Sequence, residues 1–499
     1  MNLLKRSKYL LLLIIMIVGL KSIFAQNGMY YDNHHAFLIP MLENNIVKGH
    51  AYVNLLDKVS KDTNSFILQV FDEYLRDVGE KKFNLDSKYE FKAAIYNGMN
   101  IVAKFQKKQE GLRYLVFDQK ANIIFDTSMS LKLQKDAEKI TEENFKQTPI
   151  FSINNQGILD YLNTESGGKK STTIQCLTND AKVWQYNYQT SNASNVQLLS
   201  ADHKFIVNSV YNFQSRKFYN NVNTSILILS AQGAKIAETN LYKNDSISIY
   251  PISAEIQKNG IEVISQFTKR AHEYSKIKYG TCIHYLDLNG KIIGEHFNEF
   301  TKSLVKDSVV KRYKLLDFSY LYMHKAIKLK NGNWLVAAEQ LLRTKLKIKL
   351  AKNPYVVFNK KNICLLELDD HADVVKIHVE PNKDDGVRLP RKYYRRPQGG
   401  AMVANARDRM DINYFVKDED ETNEKISFVF TDYNYHSRKL SLGNLLYKNG
   451  DIKVDRFVVP TFTSLTKIGI WPARFGHAIL IKYDPYLGIF DFDNIKFNN

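Results

Sequence analysis

The sequence predicts an all-β protein, and the architecture it favours is a β-propeller-like ring of four-stranded blades. A short β-rich run, a polar turn and a second β-branched run recur along the chain, as in Tyr114–Ile124, Ile226–Ile236 and Ile283–Ile293. The chain also contains 30 Tyr and 28 Phe, and aromatic residues favour strands. Recurring units of this size are typical of repeat proteins, and a blade needs only two more strands per copy.

The recurring hairpins set the expected number of blades. Successive copies lie about 50–60 residues apart over much of the chain, which suits a four-stranded unit with variable loops. Seven blades are favoured, with six or eight as alternatives, and two sandwich domains of stacked hairpins are the competing architecture. Copies begin at Phe66, Tyr114, Ile174, Ile226, Ile283, Ile363 and Ile479, and strand and turn signals at Ile426–Phe430 and Leu445–Val454 fill the widest gap.

The stretches between copies contain tight turns. Asn97-Gly98 and Asn331-Gly332 each separate two β-rich runs, and such dipeptides are strong hairpin signals. One unit therefore consists of a strand, a tight turn, a second strand and the recurring hairpin. We expect the ring to close by pairing Ala36–Ile39 or His50–Leu56 within the same blade as Ala478–Phe490.

Two segments interrupt this pattern. Residues Leu131–Gln147 are rich in Lys, Glu and Ala and precede Pro149, which predicts one short helical insertion. Residues Pro381–Asp411 are polar and contain several Gly and Pro, which predicts a long loop. Long loops inside compact domains are often functional.

The N-terminus has the pattern of a secretory signal peptide over residues 1–25. Lys5, Arg6 and Lys8 precede an apolar stretch at Leu10–Leu20, and this stretch is too short to span a membrane. We expect export, a single propeller-like domain over residues 26–499, and no transmembrane span after cleavage. The final location could be the periplasm, the outer-membrane surface or the medium.

Composition narrows the range of partners. The formal net charge is +18, which describes solubility and nonspecific attraction rather than fold. An exported chain rarely meets nucleic acid, so an acidic polysaccharide, a lipid head group or an envelope protein is the expected partner. Cys176, Cys282 and Cys364 are too few and too regularly placed for a disulfide framework, and we expect three buried free thiols.

The densest positive cluster lies in the predicted long loop. Its guanidinium groups could hold carboxylates, sulfates or phosphates, and its tyrosines could stack on a sugar. We expect this cluster to be exposed, to lie outside the blade strands and to bind an anionic ligand, although an ordinary solvated loop would have the same composition. The cluster consists of Arg388, Arg391, Lys392, Tyr393, Tyr394, Arg395 and Arg396.

Other polar clusters give no clear chemistry. Asp418–Glu421 resembles the start of a calcium loop but lacks the glycine and the final glutamate, so we interpret it as a solvated hairpin tip. No nucleophile elbow, phosphate-binding glycine loop or His-Glu-x-x-His motif occurs. We therefore assign no catalytic residue, no cofactor and no metal ligand.

The mature chain resembles an uncharacterised family of exported, propeller-like proteins with Asp/Asn-Gly hairpins. The similar segments are Lys330–Val336 with Glu339, and the closing Gly476–Tyr483. The resemblance covers most of residues 30–499 and implies a propeller-like fold. It implies no assigned activity, so no functional residue is carried over.

Two functions remain open. The first is a noncatalytic binding or scaffold protein of the cell envelope. The second is an enzyme that acts on a glycan, with its site in the propeller funnel. Two acids about 5–10 Å apart beside aromatic side chains would favour the enzyme.

Overall fold

The computed structural model forms eight successive antiparallel sheets, which are the blades of a β-propeller. This is one blade more than the number the sequence favours and lies within the range it allows. The structure describes residues 24–25, 28–29, 36–107, 111–130, 150–153, 155–166, 169–189, 193–213, 222–241, 247–269, 278–304, 306–316, 319–343, 355–382, 386–390, 412–420, 424–434, 439–459, 467–484 and 489–498.

A short N-terminal hairpin precedes the blades and consists of β1 (Phe24–Ala25) and β2 (Gly28–Met29). Blades 1–4 are four-stranded, and neighbours in sequence pair within each sheet. Their strands are β3 (Ala36–Glu43), β4 (Ile46–Ser60), β5 (Thr63–Asp72), β6 (Asp77–Asp86), β7 (Tyr89–Tyr96), β8 (Ile101–Lys107), β9 (Gly111–Phe117), β10 (Ile123–Ser130), β11 (Ile150–Ile153), β12 (Gly157–Ser166), β13 (Lys169–Thr178), β14 (Val183–Gln189), β15 (Ala193–Ala201), β16 (Phe205–Phe213), β17 (Val222–Ser230) and β18 (Lys235–Asn240).

In the parts that the structure describes, blades 5 and 7 have four strands, blade 6 has five and blade 8 has three. Between blades 5 and 6 lie the helices α1 (Phe300–Ser303) and α2 (Ser308–Tyr313). The strands are β19 (Ile247–Gln257), β20 (Gly260–Lys269), β21 (Lys278–Leu286), β22 (Ile292–Glu299), β23 (Ser319–Lys328), β24 (Trp334–Arg343), β25 (Tyr355–Leu368), β26 (Val374–Pro381), β27 (Gly386–Pro390), β28 (Ile412–Lys417), β29 (Lys425–Asn434), β30 (Lys439–Lys448), β31 (Asp451–Val458), β32 (Lys467–Pro472), β33 (His477–Asp484) and β34 (Ile489–Lys496).

The recurring hairpins join the third and fourth strands of a blade, and local hydrogen bonds explain their sequence. Asp118 Oδ1 accepts the N–H groups of Lys120 and Asn122, both at 2.8 Å. Asp287 Oδ1 accepts two N–H groups in the same way, at 3.0 and 2.8 Å. The residue three positions later takes a positive φ, 65° at Ala121 and 82° at Gly290. The Asp and Gly residues of the repeat are therefore turn residues.

The outermost strand carries a recurring β-bulge. In five blades the ladder shifts register just after the turn, and the residue at the shift is a β-branched side chain that faces solvent. A bulge twists a free strand edge and hinders edge-to-edge pairing. These residues are Val78, Ile124, Ile236, Ile293 and Val375.

The core consists of apolar layers between neighbouring blades. One layer packs Ile39 and Phe66 of blade 1 against Phe105 of blade 2, and equivalent layers follow around the ring to blade 8. A further layer packs Leu38 of blade 1 against Trp471 of blade 8. Each sheet therefore has both faces covered, and the ring is closed.

The predicted strand exchange at the closure is wrong. Strands β3 and β4 pair with β5 and β6 and complete blade 1, whereas blade 8 consists, in the described residues, of β32, β33 and β34. The terminal blades are instead joined by side chains. His50 Nε2 lies 2.8 Å from the carbonyl oxygen of Pro472, and the Trp471 indole donates to the carbonyl of Leu38 at 3.1 Å.

The buried His50 should make this closure sensitive to acid. Burial lowers the pKa of His50 and outweighs the bonds to Pro472 and Asp72 that would raise it. His50 therefore contributes stability that is present above its ordinary pKa of about 6.5 and is lost as the pH falls below it. We expect the free energy of unfolding to fall less between pH 7.5 and 5.5 in His50→Gln than in the wild type, measured by urea titration. An equal fall in both proteins would contradict this.

Four further expectations concern the thiols, the helical insertion, the signal peptide and a membrane span. Cys176, Cys282 and Cys364 are buried free thiols, as predicted, and burial raises the pKa of Cys176 to about 12. The helical insertion at 131–147 and the signal peptide at 1–25 lie outside the described residues, apart from the strand at Phe24–Ala25. No helix in the described part of the chain is long and apolar enough to cross a membrane.

Candidate anion-binding face

The structure describes only the first residue of the predicted basic cluster. Arg388 lies in β27 and pairs with Val357 of β25. The expectation that the whole cluster lies outside the blade strands is therefore wrong for Arg388. The cause is the length of β25, whose first half extends beyond β26 and leaves an edge with which β27 pairs. The rest of the cluster lies outside the described residues: Arg391, Lys392, Tyr393, Tyr394, Arg395 and Arg396.

Strand direction places β27 at one end of the propeller. Because neighbouring strands are antiparallel, connections from the second to the third strand lie at the same end as connections between blades. We call this the linker end. It includes the tip of the β4–β5 hairpin at 60–63, the helices α1 and α2, and β27. The Asp-capped hairpins lie at the opposite end, which we call the turn end.

A pair of short helices covers the linker end of blades 5 and 6. Asp307 begins α2, because its Oδ1 accepts the N–H groups of Val309 at 2.7 Å and Val310 at 3.0 Å. Lys314 ends α2 with a φ of 52°. Phe300, Leu304, Val310 and Leu315 are buried in the core between the two blades. This packing fixes the position of the helices on the propeller.

The exposed side of these helices is strongly basic. Glu299 and Asp307, the acidic residues beside them, are already engaged. Glu299 contacts Lys269 at 2.8 Å, and although burial acts to raise its pKa, Lys269 and Thr301 outweigh burial and lower it. Five cationic side chains then face solvent. We call them the basic cap: Lys302, Lys306, Lys311, Arg312 and Lys314.

The basic cap and β27, the strand that contains Arg388, both lie at the linker end. Helix α2 packs against β26, the strand that leads through Asn382 towards β27 and Arg388. Sequence reasoning found the cluster and missed the cap. The signal was Asp307 followed three residues later by Val310 and then by Lys311 and Arg312, which is typical of a capped helix with a basic last turn.

Two acids of blade 5 match part of the pattern expected of a glycan-active enzyme. Glu255 of β19 lies directly opposite Glu262 of β20, and burial raises the pKa of Glu255. Glu262 is buried and accepts bonds from Lys328 Nζ at 2.6 and 2.8 Å, from Gln257 and from the indole of Trp334. The Glu262 carboxylate thus uses its hydrogen-bonding capacity to join blades 5 and 6.

The residues that carry the family resemblance also hold blades together. Trp334 is fully buried and donates its indole N–H to Glu262 of blade 5. Glu339 accepts the N–H of Ile412 of blade 7 at 3.0 Å and lies 3.4 Å from His324 Nε2. Trp334 and Glu339 therefore have a structural role in joining neighbouring blades, and we assign them no catalytic or binding role.

The acidic segment at Asp418 lies between β28 and β29 at the turn end, as expected of a hairpin tip. Lys425 Nζ contacts Asp418 at 2.7 Å and Asp420 at 3.5 Å, and Lys48 contacts Glu419 at 2.6 Å. The ammonium groups of these lysines thus pair with the carboxylates that a metal ion would otherwise contact. No group of three or more His, Cys, Asp or Glu in the described ranges could hold a metal ion.

These features define an eight-bladed β-propeller with a basic cap at its linker end. The chain belongs to a family of unknown function, DUF6770, whose model matches residues 4–486. This match confirms the resemblance to an uncharacterised propeller family. A comparison with curated proteins gives no significant match.

Several solved structures are similar to the chain at low identity. One is a prolyl endopeptidase, with 10% identity and a TM-score of 0.38 over 91% of this chain and 55% of that chain. This chain thus spans about half of the endopeptidase's length. Another is a protein of unknown function from Bacteroides caccae, with 10% identity and a TM-score of 0.25 over 67% of this chain and 94% of that one. A third is the propeller domain of the trilobed protease from Pyrococcus furiosus, with 11% identity and a TM-score of 0.31 over 70% and 94% of the two chains.

Proposed function

We propose that the protein is an exported, noncatalytic binding or scaffold protein of the cell envelope. In this proposal its linker end holds an acidic polysaccharide. Export rests on the signal-peptide pattern of residues 1–25. The observation that supports anion binding is the basic cap, because its five exposed cations outnumber the two acidic residues beside them, Glu299, which pairs with Lys269, and Asp307, which caps α2.

The chemistry of the cap suits a flexible polyanion. Exposed ammonium and guanidinium groups attract negative charge over about 8 Å at physiological ionic strength. Arg312 adds a planar donor fork, which matches a carboxylate or sulfate group. Arg388 lies in β27 at the same end of the propeller, and a separate variant tests whether the residues that follow it in the sequence contribute to binding.

We expect the variant Lys302→Ala, Lys306→Ala, Lys311→Ala, Arg312→Ala to bind dextran sulfate about tenfold more weakly than the wild type. The control variant removes four exposed lysines at the turn end and changes the net charge equally: Lys120→Ala, Lys204→Ala, Lys258→Ala, Lys448→Ala. It should bind dextran sulfate as the wild type does. Affinities are measured by titration calorimetry at two salt concentrations, with uncharged dextran as a further control.

The outcomes separate the proposal from nonspecific attraction. Equal weakening in both variants would mean that net charge alone attracts the polymer, and the proposal would be wrong. Unchanged binding in the cap variant would also overturn it. A separate variant, Arg391→Ala, Arg395→Ala, Arg396→Ala, tests whether the predicted cluster extends the surface. Circular dichroism checks that the variants are folded. We expect the cap variant to fold as the wild type does, because none of its substituted residues is buried.

A further inference from the structure

Two histidines meet at the boundary between blades 5 and 6. His296 lies in the outer strand β22, and His371 lies in the turn between β25 and β26. The Nδ1 atom of His371 is 3.3 Å from the Nε2 atom of His296, and the ring centroids are 4.4 Å apart. The two residues are 75 positions apart in sequence, so only the packing of the blades brings them together.

The turn that carries His371 is held firmly against blade 5. Asp369 Oδ1 accepts the N–H of His371 at 3.0 Å. The Tyr285 hydroxyl donates to the carbonyl of Asp370 at 2.6 Å, and the Thr281 hydroxyl donates to the carbonyl of Ala372 at 3.0 Å. The backbone that carries His371 is therefore fixed relative to blade 5 before any ligand arrives.

The spacing of the two nitrogens suits a bound metal ion. Imidazole nitrogens lie about 2.0–2.1 Å from Zn²⁺, and in tetrahedral coordination two such ligands are about 3.3 Å apart. The His371 side chain is 61% exposed, so an ion can reach it and a small rotation of the ring can direct both nitrogens at one point. Asp370 Oδ1 lies 3.8 Å from His371 Nε2, beyond hydrogen-bond distance, so this exposed carboxylate adds negative charge near the site.

We propose that His296 and His371 bind one divalent transition-metal ion of the kind that prefers imidazole, with Zn²⁺ as the first candidate. The two protein ligands leave further coordination positions for water or an external ligand. Since the described residues add no third His, Cys, Asp or Glu ligand, the site is a two-histidine clamp at a blade boundary. It is independent of the basic cap.

The test is calorimetric titration of ZnCl₂ into the full chain purified without an added histidine tag. We expect one saturable site per chain, and at least about tenfold weaker binding in His296→Ala and in His371→Ala. The control His203→Ala removes an exposed histidine from the β15–β16 turn and should bind as the wild type does. A second control, His34→Ala, His35→Ala, tests the adjacent histidines near the N-terminus.

Three results would overturn the proposal. The first is the absence of saturable zinc binding. The second is unchanged binding when His296 and His371 are both replaced. The third is loss of binding in His34→Ala, His35→Ala or in His203→Ala alone, which would place the metal elsewhere on the chain.

Discussion

Replacing Asp160 with alanine should destabilise the protein by about 3–5 kcal/mol, because it leaves a buried lysine without its counter-charge. Asp160 Oδ2 lies 2.5 Å from Lys104 Nζ, and both side chains are 1% exposed. The Tyr114 hydroxyl donates to the same carboxylate at 2.5 Å, and Gln175 Nε2 donates to Tyr114 at 2.6 Å. The group joins blade 2 to blade 3.

The size of this effect follows from desolvation. Burial lowers the pKa of Lys104, and Asp160 opposes that shift. Without Asp160 the ammonium group must lose its proton or draw water into the layer between the blades, and either change weakens the contact. Replacing both residues with apolar side chains, as in Lys104→Met, Asp160→Leu, should restore part of the stability because no buried charge remains.

Urea unfolding of the wild type, of Asp160→Ala and of the double variant Lys104→Met, Asp160→Leu measures these differences in the free energy of unfolding. Lys182→Ala is the matched control, since it breaks the fully exposed pair of Lys182 and Asp180, and we expect an unchanged midpoint. A midpoint for Asp160→Ala equal to that of Lys182→Ala would show that the buried pair does not hold the blades together.

The architecture was predictable where its cause is local. An Asp side chain that accepts two N–H groups within its own turn recurs in several copies, as at Asp118, Asp287 and Asp369. In blade 4 the hydroxyl of Ser230 accepts two N–H groups in the same way. The tight turns at Gly98 and Gly332 were predictable for the same reason, since both glycines take a positive φ. A turn that depends only on its own residues can be recognised in the sequence of each copy.

The number of blades and the closure depend on contacts that are distant in sequence. Blade 7 replaces the Asp-capped turn with the two-residue turn Asn449-Gly450, and the described part of blade 8 has three strands, so neither repeats the pattern fully. Strands β3 and β4 looked available for closure because nothing local indicates that β5 already pairs with β4.

The candidate sites were harder to predict for a similar reason. Helix α2 has six residues, too few to produce a helical period that a sequence pattern could reveal. The sequence does not show which groups Glu299 and Asp307 contact, and only the structure shows that Glu299 pairs with Lys269 and that Asp307 caps α2. The pairing of His296 with His371 depends wholly on the stacking of two blades.

Trp471→Ala should destabilise the ring at the junction of its first and last blades. Trp471 is fully buried, packs with Leu38 and Tyr52 of blade 1, and donates its indole N–H to the carbonyl of Leu38 at 3.1 Å. Loss of a buried Trp side chain costs about 3–5 kcal/mol. Among the described residues no strand is shared between blades 8 and 1, so these side chains resist opening without help from a sheet ladder.

The strands in which hydrogen exchange becomes faster test this prediction more specifically than the overall free energy of unfolding does. Hydrogen exchange should become faster in β32, β33 and β34 of Trp471→Ala while blades 3 and 4 remain protected, because opening at the junction frees blade 8 first. Trp184→Ala is a control at another boundary, since the half-buried Trp184 donates to the carbonyl of Ala231 at 2.9 Å across blades 3 and 4, which the chain itself connects. Uniformly faster exchange in Trp471→Ala would show that the ring opens as a whole, and that its closure is no weaker than any other boundary between blades.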